Sequence, residues 1–192
     1  MFSLSKSQAG WVLLGLIGLM AATRFHHFGS AIALPDASLA VFFLAGLYLR
    51  SLWILPLFLG EAGLSDYLAI TYGGVSDWCV TPAYVFLIPT YASLWLAGRW
   101  YAQRHHDAWR TLVPLALALL VSTSVAFLIS NGSFYLFSGR FPEMNWVEYA
   151  SRVTQYYPPY LGFTVLYTGA VLGVHALLNA RQALTTREVP SR

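Results

Sequence analysis

Long apolar segments, separated by short polar ones, recur along the whole of this chain. Six such segments can be distinguished, and they lie at 9–23, 37–49, 51–70, 82–98, 109–129 and 160–178. A helix needs about 20 predominantly apolar residues to cross the hydrocarbon core of a bilayer. The pattern therefore predicts an all-α integral membrane protein whose 192 residues form one domain, a bundle of six transmembrane helices.

The composition supports a membrane protein and excludes several other classes. Charged residues make up 10% of the chain, whereas soluble domains carry about 25%. The single cysteine, Cys79, cannot form an intramolecular disulfide or a CxxC redox pair. The single lysine, Lys6, lies in the N-terminal tail, so the chain has no phosphate-binding P-loop. The basic residues are spread along the chain, so the net charge of +3 does not indicate a nucleic-acid partner.

Three segments need separate interpretations. Residues 37–49 number only 13, so this segment either gains flanking residues or is partly re-entrant. Segment 9–23 follows Lys6 and ends in small residues, which also fits a signal peptide. We favour a retained helix, because the later segments continue the bundle. Residues 131–159 are predicted to form a long outer segment rich in aromatic side chains.

The distribution of basic residues predicts the orientation of the bundle. With six spans and both termini inside, the inner segments carry eight basic residues: Lys6, Arg50, Arg99, Arg104, Arg110, Arg181, Arg187 and Arg192. The outer segments carry three: Arg24, Arg140 and Arg152. This excess agrees with the positive-inside rule. Residues 24–36, 71–81 and 131–159 then share the outer side, which predicts an outward-facing ligand site.

Residues 61–91 hold the densest set of chemically unusual side chains. Gly73, Gly74 and Pro82 punctuate this stretch, so we expect a loop there between two helices. Cys79 lies in the loop, and the usual role of a free cysteine is that of a small buried apolar residue. Alternatively, its thiolate could bind a soft metal. No second cysteine lies nearby, so the thiolate suits an axial ligand of a metal held by an organic ring better than a structural zinc site.

Five further ionisable residues are candidates for the site or the bundle. His26 and His27 could be interfacial polar residues, or one of them could supply a second ligand or hydrogen bond. Asp66 could cap a helix, or it could meet Cys79 or a bound amide. Such residues in or near a span are costly in lipid and are often functional. Glu61 is expected to face a water-filled cleft, and His175 to form a hydrogen bond inside the bundle.

Aromatic residues surround the Cys79 loop in unusual number. Five of them are Tyr67, Tyr72, Trp78, Tyr84 and Tyr91. They could form a membrane-interface belt. Their number exceeds what a belt needs, so they also predict the walls of a pocket for a large, flat ligand with polar edges.

Three motifs stand out along the chain: RFHHF at 24–28, LPDASLAVFFLAG at 34–46 and DWCVTPAY at 77–84. They resemble those of the BtuM family, whose members are cobalamin-specific S components related to energy-coupling factor (ECF) vitamin transporters. The resemblance covers nearly the whole chain in length, six-span layout and motif order. It implies a six-helix bundle that captures cobalamin from the periplasmic side of a Gram-negative inner membrane.

The resemblance also implies the roles of four residues. Cys79 would ligate the corrin cobalt, and His27, Asp66 and Tyr84 would hold the thiolate and the corrin edge. Donation from sulfur would displace the dimethylbenzimidazole arm and weaken the bond to the opposite ligand, so that cyanocobalamin would be slowly decyanated. No free metal ion is expected. Lipids and a corrinoid are the expected partners, with or without an ECF coupling module, because the small-residue pattern in the first span is poor.

Without the resemblance, the residues alone leave other functions open. The chain could be an S component for a different vitamin that depends on an ECF ATPase module, with Cys79 incidental. It could also be a membrane enzyme acting on lipid or quinone through the histidine pair at 26–27 and Asp66, although the chain has no HExxH or GxSxG motif. A structural or assembly factor is the fourth alternative.

Overall fold

The computed structural model describes residues 4–24, 34–104, 109–143 and 145–187, with the backbone alone at 109 and 182–187. These residues form six α-helices and two short 3₁₀ helices and contain no strand, in agreement with the predicted all-α class. The α-helices are α1 (Lys6–Arg24), α2 (Ser38–Tyr48), α3 (Ile54–Tyr72), α4 (Leu87–Ala102), α5 (Leu112–Phe137) and α6 (Trp146–Arg187). The 3₁₀ helices are Pro82–Phe86 and Trp109–Thr111.

Three of the described helices are long and apolar enough to cross a membrane, where the sequence predicted six. They are α3, α5 and the part of α6 at Trp146–Arg181. The clearest exception is α2, whose 11 residues extend about 17 Å at the rise of an α-helix. That length is about half of the ~30 Å hydrocarbon core of a bilayer.

The short helix α2 forms the core of the bundle. All of its residues except Leu39 are buried, and it packs against α1, α3, α4 and α6. Such all-round burial explains why its sequence is apolar on every face and has no amphipathic period. Helix α2 therefore places its N-terminus, next to Asp36, inside the bundle.

Helices α2 and α4 touch through two glycines. A Cβ atom at Gly46 would overlap the carbonyl oxygen of Trp95, and one at Gly98 would overlap the carbonyl oxygen of Phe43. The two contacts are reciprocal, since each glycine faces the backbone of the other helix. Small residues allow helix backbones to approach in this way, so the α2–α4 crossing requires glycine at both positions.

The connection between α3 and α4 is a loop, as the glycines and Pro82 predicted. Gly74 has a φ of +67°, a left-handed conformation that glycine adopts without strain and that often ends helices. We predicted that Pro82 begins the fourth α-helix. Instead it begins the 3₁₀ helix Pro82–Phe86, and α4 starts at Leu87. Thr81 caps this start, because its side-chain oxygen accepts a hydrogen bond of 3.3 Å from the backbone N–H of Ala83.

The prediction of a long outer segment at 131–159 is wrong. Helix α5 continues to Phe137, and α6 begins at Trp146, so that only 138–145 separate the two helices. Pro158 and Pro159 lie inside α6, where we had placed a helix boundary. Tertiary contacts on both sides of this boundary hold the helix together: the hydroxyls of Tyr157 and Ser124 are 2.7 Å apart, and the ring of Tyr160 packs edge-on against Phe127.

Candidate functional site

The guanidinium group of Arg24 joins four helices at a buried point. Its Nε and Nη2 atoms each donate a 2.8 Å hydrogen bond to one oxygen of Asp66 in α3, and Nε also contacts the carbonyl of Ala62 at 3.2 Å. Its Nη1 atom donates to Ser38 of α2 at 2.8 Å and to the hydroxyl of Tyr91 in α4 at 2.6 Å. Arg24 is only 2% exposed. The forked guanidinium suits such multiple, charge-assisted contacts better than an ammonium group would.

Asp36 provides a second carboxylate beside the guanidinium. Its Oδ2 atom lies 3.6 Å from Nη1 of Arg24, and its Oδ1 atom accepts hydrogen bonds from the backbone N–H and the hydroxyl of Ser38, at 2.9 and 2.6 Å. A carboxylate at the first turn of a helix is favoured by the free N–H groups there and by the helix dipole. Asp36 therefore fixes the start of α2 next to Arg24.

Tyr84 extends the network toward the Cys79 loop. Its hydroxyl donates a 2.5 Å hydrogen bond to Oδ2 of Asp66, the same oxygen that accepts from Arg24. Asp66 is buried, at 6% exposure, and its two oxygens are held from α1 and from the 3₁₀ helix. The carboxylate is thus kept in one orientation by an arginine and a tyrosine.

A cavity of about 630 Å³ opens beside this network. Its size falls within the usual range of small-molecule sites, about 300–1,000 Å³. Arg24, Asp36 and Asp66 line it together with Cys79 and Tyr84. The ends of α1, α3 and α5, the start of α6 and the loop 73–81 therefore meet at one place. We had predicted that residues 24–36, 71–81 and 131–159 share one side.

Aromatic residues form a large part of the cavity wall. Ten aromatic residues line it: Trp78, Tyr84, Tyr91, Phe127, Phe134, Tyr135, Phe141, Tyr156, Tyr160 and Phe163. Three of the five aromatics singled out in the sequence belong to this wall. The other two, Tyr67 and Tyr72, are not part of this wall and are 60% and 77% exposed. The wall combines flat aromatic surface with a few polar groups, which suits a large planar ligand.

Cys79 is held in the loop 73–81 by local hydrogen bonds on either side. The backbone N–H of Val80 donates to the carbonyl of Asp77 at 2.8 Å, and that of Trp78 donates to the hydroxyl of Ser76 at 3.2 Å. Both bonds close short turns, which present the cysteine to the cavity. The residue is exposed and is the only free cysteine of the chain.

Three nearby features act on the protonation of the Cys79 thiol, which lies outside the helices. Partial desolvation raises its pKa, and the Asp66 carboxylate raises it further. The guanidinium of Arg140, which lies 4.3 Å from the ring centre of Trp78, opposes this rise. The ordinary pKa of a cysteine is already about 8.5, so the net rise keeps Cys79 a neutral thiol at neutral pH in the free protein.

The structure brings together three of the four predicted site residues. Asp66, Cys79 and Tyr84 line the same cavity, and Asp66 and Tyr84 are hydrogen-bonded. His27, together with His26, lies outside the described residues. Within the described part of the chain, no group of three or more histidine, cysteine, aspartate or glutamate side chains could hold a metal ion.

Glu61 and His175 lie away from the cavity. Both carboxylate oxygens of Glu61 are buried and have no hydrogen-bond partner among the described residues, so the expected water-filled cleft is not seen there. His175 packs 5.4 Å from the ring of Tyr48, and its Nε2 atom is 3.0 Å from Nδ2 of Asn179, one turn further along α6. The hydrogen bond predicted for His175 is therefore present within its own helix.

Sequence reasoning missed the centre of the network. Arg24 was counted as an outer loop charge, whereas it is buried between helices. A signal was present, because a cation next to an apolar helix needs a counter-charge and Asp36 is only 12 residues away. Asn131 and Tyr135, which line the cavity from α5, were placed in a segment that we predicted to be irregular.

Comparison of the sequence with models of known protein families gave no match, and comparison with curated proteins gave none either. The resemblance to the BtuM family therefore stays a prediction. Function has to be inferred from the chemistry of the site rather than from the fold.

Proposed function

We propose that this protein is a cobalamin-binding membrane protein that takes up its ligand through the cavity beside Arg24. One observation carries the proposal: the single thiol of the chain opens onto a cavity lined by ten aromatic residues, next to a carboxylate held by Arg24 and Tyr84. A corrinoid is a broad ring with a metal at its centre and amides at its edge. Aromatic walls suit the ring, and a thiolate suits the metal.

The cobalt of the corrinoid would be ligated by the sulfur of Cys79. The thiol loses its proton as the sulfur–cobalt bond forms, because the thiolate is the metal ligand. Asp66 and Tyr84 line the same cavity and would orient the thiolate and the ring edge, as groups beyond the direct ligands do in metal sites. A corrinoid is large, so it would fill the cavity and extend beyond its mouth.

Decyanation would follow from the same bond. Donation from sulfur weakens the bond between cobalt and the cyanide on the opposite face. Cyanide then leaves with the bonding electron pair, cobalt stays in the same oxidation state, and the proton lost by Cys79 is available to form hydrogen cyanide. The protein would act in this step as a slow catalyst, and binding would remain its main activity.

Replacing Cys79 by alanine is the direct test of cobalt ligation. We expect the absorbance spectrum of cyanocobalamin to change when the wild-type protein is added and to stay unchanged with Cys79→Ala, because the axial ligand has been removed. Tyr72→Ala is the matched control, since Tyr72 ends α3 close to the loop but is exposed and lies outside the cavity wall. Identical spectra for the wild type and Cys79→Ala would rule out the ligation.

Binding should also depend on pH. The pKa of Cys79 is raised by desolvation and by Asp66, so ligation releases a proton throughout the neutral range. Apparent affinity should then rise about tenfold per pH unit from pH 6 to 8, as measured by spectrophotometric titration. Arg140→Ala should move this profile to higher pH, because Arg140 lowers the thiol pKa. A pH-independent affinity would contradict a bond to the thiolate.

We further propose that all six helices form a multi-pass bundle in a bacterial inner membrane, with both termini cytoplasmic and the cavity facing the periplasm. Three helices of sufficient length and hydropathy support a membrane location. A strain that needs cobalamin and lacks its own importer separates two modes of uptake. Uptake by this protein alone restores growth, whereas uptake that depends on an ECF coupling module does not.

A further inference from the structure

The wall that α5 contributes to the cavity carries a polar side chain with an unused acceptor. Oδ1 of Asn131 is buried and has no hydrogen-bond partner in the described part of the chain, although Asn131 lines the cavity. Its neighbour Ser133 is already engaged, since its hydroxyl donates to the carbonyl of Ser130 at 3.0 Å. Asn131 thus keeps an acceptor for a ligand on this wall, as does Tyr135, whose hydroxyl is also buried without a partner among the described residues.

An unpaired buried oxygen is unfavourable in the free protein. Most buried polar atoms are hydrogen-bonded, and an exception calls for an explanation. The last torsion of an asparagine side chain is soft, so Asn131 can turn its oxygen toward the cavity. This rotation breaks no hydrogen bond of Oδ1, because that atom makes none. The side chain is therefore better placed to serve a ligand than to stabilise the fold.

The surroundings of Asn131 make it a selective contact. Phe127 and Tyr135 lie four residues before and after it, so the three side chains share one face of α5, and all of them line the cavity. Phe127 is apolar, and the ring of Tyr135 stacks on Phe141 with centroids 4.3 Å apart. A ligand edge that lies along this wall therefore meets aromatic surface together with the amide of Asn131 and the hydroxyl of Tyr135.

We propose that Asn131 accepts a hydrogen bond from a primary carboxamide at the edge of the bound ring, and so selects carboxamide over carboxylate side groups. This inference rests on the proposed corrinoid function, since the corrin edge carries such amides. A carboxamide N–H donates to Oδ1. A carboxylate at the same place has no proton to donate to Oδ1. The amide would have to turn Nδ2 toward it, and the ligand would bring a negative charge to a largely apolar wall, which is costly.

Binding of edge-modified cobalamins to the purified full-length protein tests this role. The probes are cobalamin and its derivatives in which one peripheral carboxamide at a time is hydrolysed to a carboxylic acid. We expect the wild type to bind one of these acids about tenfold more weakly than cobalamin, as the loss of one hydrogen bond predicts. Asn131→Leu should bind cobalamin about tenfold more weakly and should no longer distinguish that acid from the amide.

A stability measurement and a control variant separate this role from a structural one. Asn131→Leu should leave the midpoint of thermal unfolding of the free protein unchanged or higher, because it removes an unpaired oxygen from a buried place. Thr123→Val is the matched control: Thr123 also lies on α5 with a buried, unpaired hydroxyl, but it is not part of the cavity wall. It should bind every probe as the wild type does.

The possible failures can be told apart. Wild-type affinity for all probes in Asn131→Leu, or a lowered midpoint with unchanged selectivity, overturns the role of Asn131 and leaves cobalt ligation by Cys79 standing. Absence of any corrinoid binding by the wild type overturns the proposed function, and the role of Asn131 with it.

Discussion

Replacing Arg24 by methionine is expected to lower the free energy of unfolding by about 3–5 kcal/mol, the range found when one partner of a buried ion pair is removed. Methionine fills most of the space of the arginine stem but removes the Arg24 cation from the Asp66 carboxylate. It also removes the hydrogen bonds that tie Ser38 and Tyr91 to the same point. Chemical or thermal denaturation of the protein in detergent measures the loss.

A second substitution shows whether the buried charge is the cause. Adding Asp66→Asn to Arg24→Met should recover part of the lost free energy, because the carboxylate without its cation is then gone. Arg104→Met is the matched control, since Arg104 is exposed and stacks on Trp100 at 4.3 Å; it should change the free energy by less than about 0.5 kcal/mol. Additive losses in the double variant would argue against an ion pair at the centre of the network.

Replacing Gly98 by alanine is expected to lower the free energy of unfolding by about 3 kcal/mol. This value is at the upper end of the cost of overpacking a core. The added methyl group would overlap the carbonyl oxygen of Phe43, which belongs to the backbone of α2 and cannot rotate away. The two central helices would have to separate along their whole contact. The midpoint of thermal unfolding and the yield of folded protein report the effect.

Gly63 on α3 offers a matched control for this substitution. A Cβ atom there meets nothing within 4 Å, and alanine favours a helix over glycine by about 1 kcal/mol. Gly63→Ala should therefore leave stability unchanged or raise it. Equal losses in Gly63→Ala and Gly98→Ala would mean that the α2–α4 contact is looser than the structure shows.

Apolar patterning predicted the class of the fold and the presence of the helices, but it placed several ends wrongly. The sixth apolar segment was predicted to begin at Tyr160, directly after Pro158 and Pro159, although proline inside a helix only removes one N–H donor and disfavours the preceding turn. In the structure, contacts of Tyr157 and Tyr160 with α5 carry α6 through the two prolines. Such contacts join distant parts of the chain, so the local pattern of apolar residues cannot predict them.

Contacts between distant residues also limited what the sequence could predict about the site. A lone thiol in an aromatic loop pointed to Cys79, and the structure places it in the wall of the cavity. The pairing of Arg24 with Asp66 spans 42 residues, so neither residue indicates the other locally. Asn131 gives no local signal either, because its importance comes from the absence of a partner in the folded state.

The length of α6 has a consequence for how a ligand reaches the cavity. Its 42 residues extend about 63 Å at the rise of an α-helix, whereas the hydrocarbon layer of a bilayer is about 30 Å thick. A bilayer that encloses the bundle can therefore cover only about half of α6, and the remainder must stand in the headgroup region or in water. The arm before Pro158 carries Arg152 and Tyr156, both of which line the cavity. If the bilayer covers the apolar part of α6 at 160–178, this arm stands at the height of the phosphate groups, and a ligand would be received there without first dissolving among the acyl chains.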